Sequence, residues 1–180
     1  MKKMVNHKIL ILHGWNALPE DHWFSAAKEK WEKKGFRVEV PNLPGNYFPK
    51  IDEWLKVIES FQPDKSWILI GHSLGGVAIL KYLEIAEKPI AQAILIATPL
   101  TAMHFGSIDN FFEGGFKWEN IKANCPKFEI LNEDNDPAIP IEHGQKYANN
   151  LSGNLHVVPG YTHFHTINLK FLEKLIESKN

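Results

Sequence analysis

Six short apolar runs, each followed by a stretch of different periodicity, constrain what this 180-residue chain can fold into more than any other feature. They are Lys8 to Leu12, Phe36 to Val40, Trp67 to Ile70, Ala91 to Ala97, Phe128 to Leu131 and Leu155 to Val158. Most are continuous and rich in β-branched residues, the pattern of strands buried on both faces. Between them Trp23, Phe24, Ala27 and Trp31 share one helical face, and Gly35 follows as a stop signal. Ile51, Leu55 and Ile58 repeat that spacing, as do Val77, Leu80 and Leu83, and, near the C-terminus, Ile167, Phe171 and Leu175. Strands alternating with helices predict an α/β fold: a six-stranded, mainly parallel sheet with right-handed crossovers and helices on both faces.

The length predicts a single domain, residues 1–180, able to bury roughly 70% of its unfolded surface without staples. Residues 99–126, with Gly106, Gly114, Gly115 and several aromatics, are the least regular stretch and read as a short cap or a pair of surface helices. The lone Cys125 excludes an intrachain disulfide and points to a reducing compartment. A formal charge of -1 argues against a nucleic-acid surface. Met1 to His7 carries lysines, but the apolar stretch Ile9 to Leu12 is too short for a signal-peptide core or a membrane span. The expectation is a cytoplasmic protein that engages no membrane. No internal repeat or low-complexity tract is present.

In an open parallel sheet, ligands bind beyond the carboxyl ends of the strands, near the point where strand order reverses. The third run leads there into Gly71-His72-Ser73-Leu74-Gly75, a serine between glycines at a strand-to-helix turn. This is the pattern of a nucleophile elbow: the tight turn strains the serine backbone and lifts its hydroxyl clear of the sheet. The helix beginning at the elbow also offers unpaired N–H groups and its positive dipole end to an oxygen that gains negative charge. The Leu74 N–H is the expected first oxyanion donor. The second is expected from the loop after the first strand, where the small Gly14 lets the Trp15 N–H approach.

A serine hydroxyl needs a base, and the base needs an orienting group. His163 follows the last strand and Asp136 the fifth, giving the chain order Ser73, Asp136, His163. Spacing leaves competitors open: Glu133 and Asp134 for the acid, His156 and His165 for the base. Asp136 before Pro137 also suits a plain turn. His156 reads as structural, His165 as the start of the terminal helix, His13 and His72 as packing or hydrogen-bonding residues, and His7, His22, His104 and His143 as surface. A metal held by His163, His165 and the acidic loop would leave the elbow without a purpose, so neither metal nor cofactor is expected. Trp15, Phe48, Phe111, Phe116 and Trp118 are candidate lining for an acyl or aromatic pocket.

These residues resemble the small serine hydrolases typified by the retinoblastoma-binding serine hydrolase and the YdeN-like proteins, which have the α/β-hydrolase fold. The resemblance spans nearly the whole chain: the elbow, Pro41-Asn42-Leu43-Pro44 with Pro49 and Trp54, Asp134-Asn135-Asp136-Pro137-Ala138-Ile139-Pro140, and His163-Phe164. It implies Asp136, the aspartate before proline, as acid and His163, the histidine before phenylalanine, as base. It also implies hydrolysis of a carboxylic ester or amide, and the expected reaction is cleavage of a small ester, or an amide, through an acyl-Ser73 intermediate. Gly45-Asn46 stand where the family pattern carries a further proline, and Ala123-Asn124-Cys125-Pro126-Lys127 does not match the L-x-C-x-E motif, so no retinoblastoma-type partner is expected. The rival expectation is a binding or regulatory module that keeps the fold without catalysis.

Overall fold

A computed structural model describes residues 7–160 and 162–177; Met1 to Asn6, part of the lysine-bearing N-terminal stretch, lie outside the described residues, as do Tyr161 and Ser178 to Asn180. The strands are β1 (Lys8–Leu12), β2 (Arg37–Glu39), β3 (Trp67–His72), β4 (Gln92–Ile96), β5 (Phe128–Glu133) and β6 (Asn154–Val158). They form one sheet in the order β2-β1-β3-β4-β5-β6, and every neighbouring pair is parallel. The helices are α1 (Phe24–Glu32), α2 (Ile51–Ser60), α3 (Leu74–Ile85), α4 (Trp118–Asn124), α5 (Ile141–Leu151) and α6 (Leu169–Glu177).

Side-chain alternation along the strands divides the core. Leu10, Leu12, Leu69, Leu95 and Ile130 face one layer, with Trp54 and Ile58 of α2, Val77 and Leu80 of α3, Ile121 of α4 and Tyr147 of α5. Ile9, Ile11, Ile68, Ile70, Ile94 and Ile96 face the other, with Phe24, Ala27 and Trp31 of α1 and Leu172, Leu175 and Ile176 of α6. Residues of β3, β4 and β5 are buried throughout, as continuous apolar runs require, while edge strands β2 and β6 are partly exposed.

The irregular stretch 99–126 contains a 3-10 turn at Gly106–Phe111 followed by α4. Its Ile108, Phe111 and Ile121 join the α3-side core, and the Asn124 amide donates to the carbonyls of Leu83 and Ala86 at the end of α3. α5 is a helix that apolar periodicity does not announce. No described helix is long and apolar enough to cross a membrane. Cys125 is buried, which pushes its thiol up to about 12.

After β1 the chain crosses one way to β2, and then returns to place β3 on the other side of β1. The loops leaving β1 and β3 therefore diverge, and the crevice between them is the switch point where such sheets bind ligands.

Candidate active site

Ser73 occupies that crevice at φ 53° and ψ -123°, a conformation that non-glycine residues rarely adopt. Backbone bonds hold it: its N–H donates to the Ile96 carbonyl at 2.8 Å, and its own carbonyl accepts the Gly76 N–H at 3.0 Å. A Cβ at Gly71 would stand 2.5 Å from Gly76 Cα, and one at Gly75 2.6 Å from the His13 carbonyl oxygen. The flanking glycines are thus demanded by close approach of backbone to backbone. Ser73 makes no side-chain cap on α3, so its hydroxyl is not spent on the N-cap bond that serine commonly makes.

The first-strand loop lies directly against the serine, since a Cβ on Gly14 would sit 3.1 Å from Ser73 Cβ. Buried His13 orders this loop. Its Nδ1–H donates to the Gly14 carbonyl at 2.9 Å, and its Nε2 accepts the Leu43 N–H at 3.0 Å. The Gly14 carbonyl and the Trp15 N–H belong to one peptide plane, so the bond that holds the first fixes the direction of the second. Leu74 is the first residue of α3, and its N–H has no intrahelical acceptor.

His163 Nδ1 is bonded to both oxygens of Asp136, at 3.1 and 2.9 Å. The Asp136 side chain has 0% exposure and that of His163 15%. Burial pushes the Asp136 carboxyl up, but bonds from His163, Ala138 N–H and Ile139 N–H, with the attraction of the imidazole, outweigh it and hold it below the usual carboxylate range. Asp136 is therefore both a turn residue and the partner of the imidazole. Its competitors are engaged elsewhere: Asp134 accepts the Gly160 N–H, and Glu133 accepts from Thr162 and from the His163 backbone. His156 is bonded to Glu129 at 2.7 Å, away from the elbow.

The His163 loop and the Ser73 turn are joined by His72. Its Nε2–H donates to the His163 carbonyl at 2.8 Å, and the two rings lie 4.9 Å apart. A carbonyl only accepts, so this bond fixes the Nε2–H tautomer. Burial, reinforced by His163, pushes His72 down to about 3.

Three sequence expectations need correction. His165 precedes α6 by several residues and stacks on His22 at 4.2 Å and 7°; Asn168 starts that helix by accepting the Lys170 and Phe171 N–H groups. His7, His22 and His143 are half-buried rather than on the surface: His22 lies in this imidazole cluster, and His143 Nδ1 accepts the Leu100 N–H. Of the candidate lining, Phe111 is core against Trp54, and Phe116 and Trp118 pack on Tyr147. In the loop after β1, the Trp15 indole donates to the Tyr47 carbonyl and lies 5.3 Å from the Phe105 ring, while Tyr47, Phe48 and Phe105 are exposed. No group of three or more metal-binding side chains occurs among the described residues.

A family model described as serine hydrolase matches residues 9–169. The chain is 26% identical over 164 residues to YdeN of Bacillus subtilis (strain 168), covering 87% of this chain and 85% of that protein. It is also 26% identical over 162 residues to the serine hydrolase RBBP9 of Rattus norvegicus, with the same coverage of 87% and 85%. The crystal structure of the B. subtilis ydeN product superposes with a TM-score of 0.87 at 21% identity, covering 96% of this chain and all of that one (100%). Est1E from Butyrivibrio proteoclasticus superposes at 0.73 with 15% identity, over 95% of this chain and 86% of the other, a likeness of fold.

Proposed function

Because this chain belongs to the serine hydrolase family, we propose that it cleaves a small carboxylic ester, or an amide on the same machinery, through an acyl intermediate on Ser73. The observation that carries this reading is the buried Asp136 carboxylate bonded at 2.9 Å to His163, on a loop joined by His72 to the strained serine. His163 takes the Ser73 proton as the hydroxyl attacks the substrate carbonyl, then returns it to the leaving group. Asp136 holds the tautomer and stabilises the imidazolium. The Leu74 and Trp15 N–H groups receive the oxyanion, each contributing about 2.7 to 4 kcal/mol to the transition state. Water then attacks the acyl-enzyme, with His163 again as base. No step calls for a cofactor.

The two sides of the crevice differ. Apolar Trp15 and Phe105 flank the oxyanion loop, whereas Thr162, His22 and His165 surround the base. This polarity supports an apolar acyl group beside Trp15 and a polar leaving group beside His163. Residues 1–180 are taken as one catalytic domain working in the cytoplasm, in keeping with the single, buried thiol.

A series of p-nitrophenyl esters of graded acyl length, run beside aminoacyl amides, tests the reading. We expect Ser73-dependent turnover of esters that improves with acyl length over the short chains. A folded protein that turns over no ester or amide would favour the binding module.

A further inference from the structure

His163 and the residue after it, Phe164, both adopt left-handed backbone conformations, at φ 53° and 50°. Two successive bulky residues rarely adopt that region without support, and it persists only where the surroundings over-determine it. The support consists of side chains from distant elements. His72 donates to the His163 carbonyl, and the Trp23 indole donates to the Phe164 carbonyl at 3.1 Å. The N–H groups on the other side of the loop donate to Glu133. One of its oxygens accepts the Thr162 N–H and the His163 N–H, both at 2.8 Å, and the other accepts the Thr162 hydroxyl at 2.9 Å.

Glu133 is 4% exposed and is the last residue of β5, three positions before Asp136. The loop is shaped around it: a Cβ at Gly160 would stand 2.5 Å from the Glu133 carboxyl carbon. Glu133 has no cationic partner among the described residues, and burying such an acid is costly unless its oxygens are satisfied; here they are satisfied by the His163 loop itself. One strand end therefore grips a single histidine twice: Asp136 takes its ring and Glu133 its main chain.

We propose that Glu133 is a positioning residue for the base, holding the His163 backbone in its left-handed conformation so that the imidazole meets both Asp136 and the elbow. This rests on His163 being the base of the proposed reaction. Glu133 touches neither substrate nor Ser73. It acts through the loop, and what the loop needs from it is hydrogen-bond acceptors at that reach. Glutamine meets the need: its oxygen can accept the two N–H groups, while the Thr162 hydroxyl turns to accept from its amide. Alanine leaves two buried N–H groups without partners. Aspartate keeps a charge but falls one methylene short.

The test compares Glu133→Ala, Glu133→Gln and Glu133→Asp by turnover per active site, titrated with a fluorophosphonate so that misfolded molecules are not counted. In parallel, the downfield proton resonance of His163 Nδ1–H is recorded. Glu133→Ala is expected to lose about 100-fold in kcat per site, the scale set by a misplacement near 1 Å, with KM little changed. Its His163 resonance should broaden or vanish. Glu133→Gln should stay within about tenfold of the parent and keep the resonance. A Glu133→Ala protein with the parent's per-site kcat and an unchanged resonance would overturn the proposal, whatever its Tm. If that variant does not fold, the ranking decides: Glu133→Gln above Glu133→Asp supports the proposal, and the reverse order contradicts it. Should Ser73→Ala prove to retain turnover, the function reading fails, and the proton resonance alone decides the role of Glu133.

Discussion

Ser73 and His163 sit at the same backbone angle, φ 53°, and are held there by opposite means. The elbow is held by what is missing: side chains at Gly71 and Gly75 would collide with neighbouring backbone, and the strain on the serine is fixed by bonds to Ile96 and Gly76. The base loop is held by what is added. Glu133, His72 and Trp23, from three separated parts of the chain, each supply a buried side chain to its backbone. Strain of this kind costs on the order of 1 to 3 kcal/mol per residue, so both regions depend on surroundings that can be removed one group at a time.

The comparison breaks most sharply at the acid. Asp136→Asn leaves the shape of the base loop in place but offers His163 the wrong hydrogen-bond partner, and kcat should fall by about 10⁴ with little change in Tm. Steady-state kinetics beside thermal unfolding checks both halves of that statement. The elbow should respond in the other order. Gly75→Ala drives a methyl into the Leu12 and His13 carbonyls and should destabilise the fold by about 3 kcal/mol, the upper end of overpacking. That corresponds to a drop in Tm of roughly 6 to 12 °C in calorimetry. A Gly75→Ala protein as stable as the parent would remove steric exclusion as the basis of the elbow.

A third expected effect, similar in size to that of Gly75→Ala, concerns pH. His72 is held at about 3 when folded, against about 6.5 when unfolded, so the unfolded chain binds the proton first as pH falls. Its contribution to stability is complete above about pH 6.5 and declines progressively toward pH 3. Asp136, lowered in the folded state, adds a loss of the same sign below about pH 4. Unfolding measured from pH 8 to 4 should show this decline, and His72→Gln should flatten it. An unchanged slope in that variant would mean that the link between elbow and base loop carries no titration.

The same contrast explains what the sequence discloses. Strands buried on both faces leave continuous apolar runs, so β1 is read with its observed ends, Lys8 and Leu12, while edge strand β2 is shorter than the run that announces it. The elbow is legible because its requirements are local, glycine and serine within five positions. α5 is not, because its buried face carries Gly144, where a Cβ would stand 2.9 Å from Asn132 Cγ, in place of a large apolar residue. The base loop is legible only in its residue types. Glu133 could be noticed as an acid near the site, but its bond to the His163 N–H spans 30 positions and leaves no period to detect. The stacking of His22 on His165 is hidden for the same reason.

We propose above all that Ser73 is the nucleophile and that His163 makes it one. This is tested most directly by treating the protein with a fluorophosphonate and locating the adduct by intact mass and peptide mapping, in the parent, Ser73→Ala and His163→Ala proteins. One adduct is expected, on Ser73, absent from Ser73→Ala and formed far more slowly in His163→Ala. An adduct on another residue, or parent-like labelling of the His163→Ala protein, would contradict it.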